Sequence, residues 1–88
     1  MKTIFFDSET TGLDAFKDKI TLMSILDGNK TRLIERFDAA KIAELKELLE
    51  NNLVVGHNLK FDLKFLKQQF NIEPTNLFDT YIAEILIS

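Results

Sequence analysis

The spacing of apolar and polar positions changes several times along these 88 residues. Residues 2–6 form a short run rich in Ile and Phe, which predicts a strand. Residues 10–19 read as a loop around Gly12. Residues 20–26 predict a second strand, and residues 30–36 predict a third, with alternating character. Asp27-Gly28-Asn29 between them is a strong hairpin signal. The period then becomes helical. Ile42, Leu45, Leu48 and Leu49 give an apolar stripe to a helix over 39–51, with Asp38 as its expected N-cap. Residues 53–56 carry no charge and predict a short strand buried on both faces. A second helix is expected from Asn58 or Leu59 to about Phe70. A loop with Pro74, a short strand or turn at Leu77 and Phe78, and a last helix over 80–88 capped by Asp79 complete the chain.

That order predicts an α/β domain on a mixed sheet. Three antiparallel strands with hairpin-type links come first, then helix, strand, helix, strand and helix. The first strand does not belong to a simple βαβ repeat, because the turn at Gly28 makes the second and third strands antiparallel.

Composition narrows the function. The hydrophobic share is 45% and the charged share 28%, both ordinary for a globular chain. Net charge is −3, so no global basic signature of nucleic-acid binding exists, and any such contact must be local and metal-assisted. The chain has no cysteine, which excludes disulfides, thiolate nucleophiles and Cys-type zinc sites. Its single histidine excludes a His-rich metal cluster. No stretch approaches the roughly 20 apolar residues of a membrane span. Asp7 and Glu9 interrupt any signal-like run, so the expectation is a cytoplasmic chain with no membrane partner.

The candidate chemistry is carboxylate. Asp7 and Glu9 end the first apolar run, and two residues apart on a strand they share a face. They then lie roughly 6–7 Å apart along the backbone, within reach of one cation. The bland alternative is a polar strand end. Asp62 falls inside the apolar face of the second helix, among Leu59, Phe65, Leu66 and Phe70. Lys60, Lys64 and Lys67 occupy the opposite face, so no nearby lysine shares the side of Asp62. They read as a solvated surface, and Lys17 and Lys19 are better placed for phosphate. Repelling carboxylates in an apolar setting call for a hard divalent cation, which points to metal-dependent chemistry on phosphate. Asn58 is a natural N-cap. His57 is either a locally bonded polar residue at a strand end or a substrate contact.

These residues carry a resemblance. Asp7-Ser8-Glu9-Thr10 resembles the first motif of the DEDD-type 3′–5′ exonuclease superfamily, notably the proofreading domain of family-A DNA polymerases. Asn58-Leu59-Lys60-Phe61-Asp62, after Val54-Val55-Gly56-His57, is similar to the second motif. Phe78-Asp79-Thr80 resembles the Phe-Asp-Thr that follows. The blocks keep their order over nearly all of the chain. The resemblance implies a ribonuclease H-like fold and cleavage of single-stranded DNA or RNA from its 3′ end, releasing 5′-mononucleotides. It implies two Mg²⁺ or Mn²⁺ ions held by Asp7, Glu9 and Asp62, with Asp7 bridging both. Thr10 and Leu13 match positions contacting the terminal nucleotide, Leu13 as a wedge against its base. Asn58 would touch substrate or fix the second motif.

The third motif of that family, a Tyr or His followed four residues later by Asp, is absent: Tyr81 is followed at that distance by Ile85. The expectation is a single, C-terminally incomplete exonuclease-like domain over residues 1–88, weak or inactive in isolation. Ile82, Ile85 and Leu86 would then await cover from a second copy or a complementary polypeptide. A non-catalytic fragment that binds nucleic acid or a partner is the alternative. Asp7-Ser8-Glu9-Thr10 is also superficially similar to the nucleophile loop of haloacid-dehalogenase-like phosphotransferases. That reading leaves the block from Asn58 to Asp62 unexplained and predicts a helix, not a hairpin, after the first strand.

Overall fold

Gly28 and Asn29 make the tightest link in the chain. Gly28 takes the first of the two turn positions with a φ of 62°, which a II′ turn requires. The turn joins β2 (Ile20–Asp27) to β3 (Lys30–Ile34) in an antiparallel register that pairs Asp27 with Lys30. β1 (Thr3–Thr10) lies antiparallel on the other side of β2. The computed structural model describes residues 1–81. After the meander come α1 (Ala39–Glu50), β4 (Leu53–Gly56), α2 (Leu59–Phe65), a π-helical turn (Leu66–Phe70) and β5 (Leu77–Asp79). β4 pairs parallel with β1, and β5 parallel with β4. The five-stranded sheet has the order β3-β2-β1-β4-β5, and it is mixed, as the element order predicts.

One face of this sheet carries the core. Ile4, Phe6, Met23, Ile25 and Val54 are buried against Leu45 and Leu49 of α1 and Leu59, Phe65 and Leu66 of α2 and the turn that follows. The Asp38 side chain accepts from Lys41 N at 2.8 Å and caps α1, as expected. On the other face Phe5, Leu26, Leu33 and Phe78 are exposed. β4 is accordingly buried only at Val54, while Leu53, Val55 and Gly56 are half-buried. That corrects the expectation of burial on both faces, since no described element covers the second one.

The other differences are local. β1 runs to Thr10 rather than Phe6, and β3 stops at Ile34 rather than Arg36. The second helix does not stay α-helical to Phe70. Its last five residues widen into a π turn, ended by Asn71 in the left-handed region with a φ of 56°. Ile72 N donates back to the Leu66 carbonyl, and the Ile72 side chain is buried. Gln69 of this turn accepts from Ile20 N at 2.7 Å, fastening the helix to the start of β2. Thr80 and Tyr81 begin the predicted last helix; Ile82, Ile85 and Leu86 lie outside the described residues.

Gly56 is where β4 must give way to α2. A Cβ there would sit 2.5 Å from Leu59 Cδ2 and 2.8 Å from the Phe6 carbonyl oxygen. The leucine methyl can turn away, but the strand carbonyl cannot. Gly56→Ala is expected to destabilise the chain by about 1–3 kcal/mol, read from the urea midpoint at unchanged m-value.

Candidate active site

Alternation along β1 sorts its side chains. Ile4 and Phe6 turn to the core, whereas Phe5, Asp7 and Glu9 are exposed on the opposite face. Charge is tolerated there because the carboxylates keep their water, so the strand continues through its acidic residues. Asp7 and Glu9 thus share a face, as their spacing requires, and stand opposite Ser24 and Leu22 of β2. The pairing slips after Glu9: Thr10 faces Ile20 and leaves Thr21 bulged. Ser8 turns toward the helices.

Asp62 comes to Ser8 from α2. It is 4% exposed, the one buried charged side chain among the described residues. The Ser8 hydroxyl donates to Asp62 Oδ1, so β1 itself satisfies the buried group. Among the described residues no lysine pairs with it. Lys60, Lys64 and Lys67 are exposed, as the helical spacing predicts. Burial pushes the Asp62 carboxyl up to about 6. The Ser8 hydrogen bond opposes that shift, and the nearby charges of Asp7 and Asp79 reinforce it.

The start of α2 is held from a distance. The sequence assigns its cap to Asn58, but Asn58 sits in the left-handed region at φ 56° and makes no side-chain cap hydrogen bond. Asp79 does the capping instead. Its Oδ1 accepts from Asn58 N at 2.9 Å and its Oδ2 from Leu59 N at 2.8 Å. The same Oδ1 accepts from Tyr81 N at 2.9 Å, the expected cap of the last helix. One carboxylate therefore serves two helix starts.

His57 is oriented by Thr80 and Tyr81, which sequence reasoning missed. Its Nδ1 lies 3.1 Å from Thr80 Oγ1, and its ring meets Tyr81 edge-on at 5.3 Å. Thr80 donates its one proton to the Gly56 carbonyl at 3.2 Å. The imidazole hydrogen then belongs on Nδ1, which leaves Nε2 as an acceptor. A groove of about 550 Å³ on the open face is lined by Phe5, Asp7, Ser24, Val55, His57 and Thr80. Beyond β1, the Thr10 hydroxyl donates to the Gly12 carbonyl at 2.7 Å and draws the loop tight. That loop presents Leu13, 87% exposed.

The structure thus brings Asp62 within electrostatic range of Asp7 and Asp79, and puts Asp7 and His57 on one groove. Glu9 shares the strand face of Asp7 but stands outside this group. Among the described residues no three His, Asp or Glu side chains converge as a ligand set. The donors still suit a hard cation. They are all carboxylate oxygens, and a divalent ion would relieve their mutual repulsion. Mg²⁺ commonly takes only one or two protein carboxylates and fills its shell with water and phosphate.

A mixed sheet with a buried carboxylate beside an acidic strand end is an arrangement suited to cation-assisted chemistry on phosphate. The family model described as 3′–5′ exonuclease matches residues 1–88, and the chain belongs to that family, of the DEDD type. It is 40% identical over 84 residues to DNA polymerase I of Aquifex aeolicus, covering 96% of this chain and 14% of that one. NrnC of Brucella melitensis bound to pGG superposes with a TM-score of 0.82 at 27% identity, over 96% of this chain and 43% of that one. The same protein with bound Mg²⁺ gives 0.80 at 26%, over 96% and 44%. Escherichia coli RNase D shares the fold, with a TM-score of 0.71 at 24% identity, over 89% of this chain and 21% of that one. The chain therefore spans about a seventh of its curated relative and under half of these solved chains. No helix among the described residues is long and apolar enough to cross a membrane.

Two outcomes follow from this geometry. A carboxyl raised by burial contributes its stability in full below the unfolded value of 3.8 and loses it as pH rises through about 6. Without metal, the chain should lose on the order of 1–3 kcal/mol between those limits. Asp62→Asn should lack that fall and be more stable than wild type near pH 7, as measured by urea unfolding at a series of pH values. Asp79→Ala should cost about 1–2 kcal/mol by uncapping α2, with hydrogen exchange accelerated at Asn58 and Leu59 first.

Proposed function

We propose that the chain carries the first two motifs of a metal-dependent 3′–5′ exonuclease acting on single-stranded nucleic acid. The observation behind this reading is the Ser8–Asp62 hydrogen bond, which joins the second-motif carboxylate to the strand that bears Asp7 and Glu9. Asp7, Glu9 and Asp62 would hold two Mg²⁺ or Mn²⁺ ions. Bound there, the ions supply Lewis-acid charge to the attacking and leaving oxygens of an in-line displacement. Support for a divalent ion and for an oligonucleotide comes from NrnC, solved with Mg²⁺ and with pGG.

The protein's own residues bind and orient. Leu13, bare at its loop tip, packs against the terminal base. Thr10 shapes the loop behind it. His57 offers Nε2 from the groove wall, and Asn58, whose side chain makes no cap hydrogen bond, would contact the substrate or fix the second motif. Residues 1–88 form one domain-like unit that contains no Tyr or His followed four positions later by Asp, so this segment alone turns over slowly or not at all. Small displacements of a catalytic group cost orders of magnitude in rate.

The second reading, a non-catalytic fragment that binds strand or partner, rests on the same missing motif. The test is mononucleotide release from a 3′-labelled single strand with Mn²⁺, comparing the chain with Asp7→Ala. Release that Asp7→Ala abolishes supports the nuclease. No release from either, even at high protein concentration, is the outcome for a nuclease domain left incomplete by the missing third motif. Equal release from both excludes Asp7 from the chemistry.

A further inference from the structure

We propose that the outer flank of α2, with the tip of the loop after β1, binds single-stranded nucleic acid upstream of its 3′ end. The proposal takes only the identity of the strand from the nuclease reading. Phe16 is 83% exposed, yet it is not a loose tip. Its backbone N donates to Asp14 Oδ1 at 2.9 Å. Asp18 N donates to the Asp14 carbonyl at 2.7 Å, and Asp14 N to Asp18 Oδ2 at 3.0 Å. The Thr11 hydroxyl donates to Asp18 Oδ1 at 3.1 Å. A Cβ on Gly12 would lie 2.4 Å from Asp18 Oδ2, so the loop is built closely around that carboxylate. Two aspartates fix the backbone that carries Phe16, whose ring stands in water and serves no core.

The ring borders a groove of about 470 Å³, shared with Ala15, Leu63, Lys60, Lys64 and Lys67. Its floor is apolar, and lysine stems extend that floor while their ammonium groups form the rim. Lys67 is engaged by Glu73 and Asn71. Lys60 and Lys64 have no ion-pair partner among the described residues. On a chain of net charge −3 these two lysines make a local positive rim, about one helical turn or ~6 Å long. Its occupant must offer negative charge and flat apolar faces together. A single strand does both, with phosphates for the lysines and bases for the ring. An acidic peptide would satisfy the lysines and leave Phe16 without a planar partner. The same loop carries Leu13, the position assigned to the terminal base, three residues before Phe16.

The test is binding with EDTA present, so that the strand stays intact. Anisotropy of 5′-labelled oligothymidylates would be read with the whole chain, using a dinucleotide and a twelve-nucleotide strand. Phe16→Ala and Lys64→Ala are each expected to weaken the longer strand about fivefold or more, and to leave the dinucleotide unchanged. Lys64→Ala should also lower the slope of log affinity against log salt by ~0.7. Unchanged affinity of the longer strand in both variants overturns the proposal, as does equal weakening of the dinucleotide or no binding by wild type. Length-dependent binding that needs Phe16, with mononucleotide release that Asp7→Ala leaves unchanged, keeps the groove and removes the nuclease reading.

Discussion

The Asp79 carboxylate, gathering the amide hydrogens of Asn58, Leu59 and Tyr81, is the contact on which the site depends. It sits at the end of β5, the edge strand, and reaches over β4 to the start of α2. That start leaves β4 at Gly56, where there is no room for a side chain between Leu59 and the Phe6 carbonyl. The two constraints fix where α2 begins and how it is rotated. Rotation in turn decides that Asp62, rather than a neighbour, meets Ser8. A helix capped by its own Asn58 would be free of β5, and the carboxylate would be placed by packing alone.

Asp79 also acts on Asp62 through space. Its negative charge and that of Asp7 add to the effect of burial, and only the Ser8 hydroxyl works the other way. The site is thus held in an electrostatically unfavourable arrangement, with the Asp79 charge fixed in place by the backbone amides that donate to it. Residues that bind cations are often kept this way, because the repulsion between unbound ligands adds to the gain on binding. The covered face of the sheet bears the stability, through Ile4, Phe6, Leu45, Leu49 and Phe65. The site sits at its border.

Much of this was legible in the residues. The Asp27-Gly28-Asn29 turn, the Asp38 cap, the uncharged β4 and the placement of Asp62 against Leu59 and Phe65 all follow from short-range patterns, and each is present. The shared face of Asp7 and Glu9 follows from strand alternation alone. What was not legible depends on partners distant in sequence. Asn58 looks like a cap because its type and position fit, and only the fold shows Asp79 taking that role from 20 positions on. The Thr80 and Tyr81 contacts that orient His57 exist only once β5 lies beside β4. Charged residues look like the end of a strand, whereas in β1 they mark its open face. The π turn over Leu66–Phe70 has no signal in side-chain spacing; Asn71, in the left-handed region at its end, is the nearest to one.

The sheet order also carries a kinetic consequence. β1, β2 and β3 pair through neighbouring segments, with short loops to close. β4 reaches β1 only when Leu53 N finds the Lys2 carbonyl and Asn52 finds Lys2 N, a closure across 50 residues. Closures of that length are entropically expensive and slow, and β5 must follow β4 into place. The N-terminal meander can therefore exist before the acidic constellation does. During synthesis, Asp7 and Glu9 would be exposed on a formed hairpin while Asp62 and Asp79 were still being added, and the site would assemble in the last docking step rather than the first.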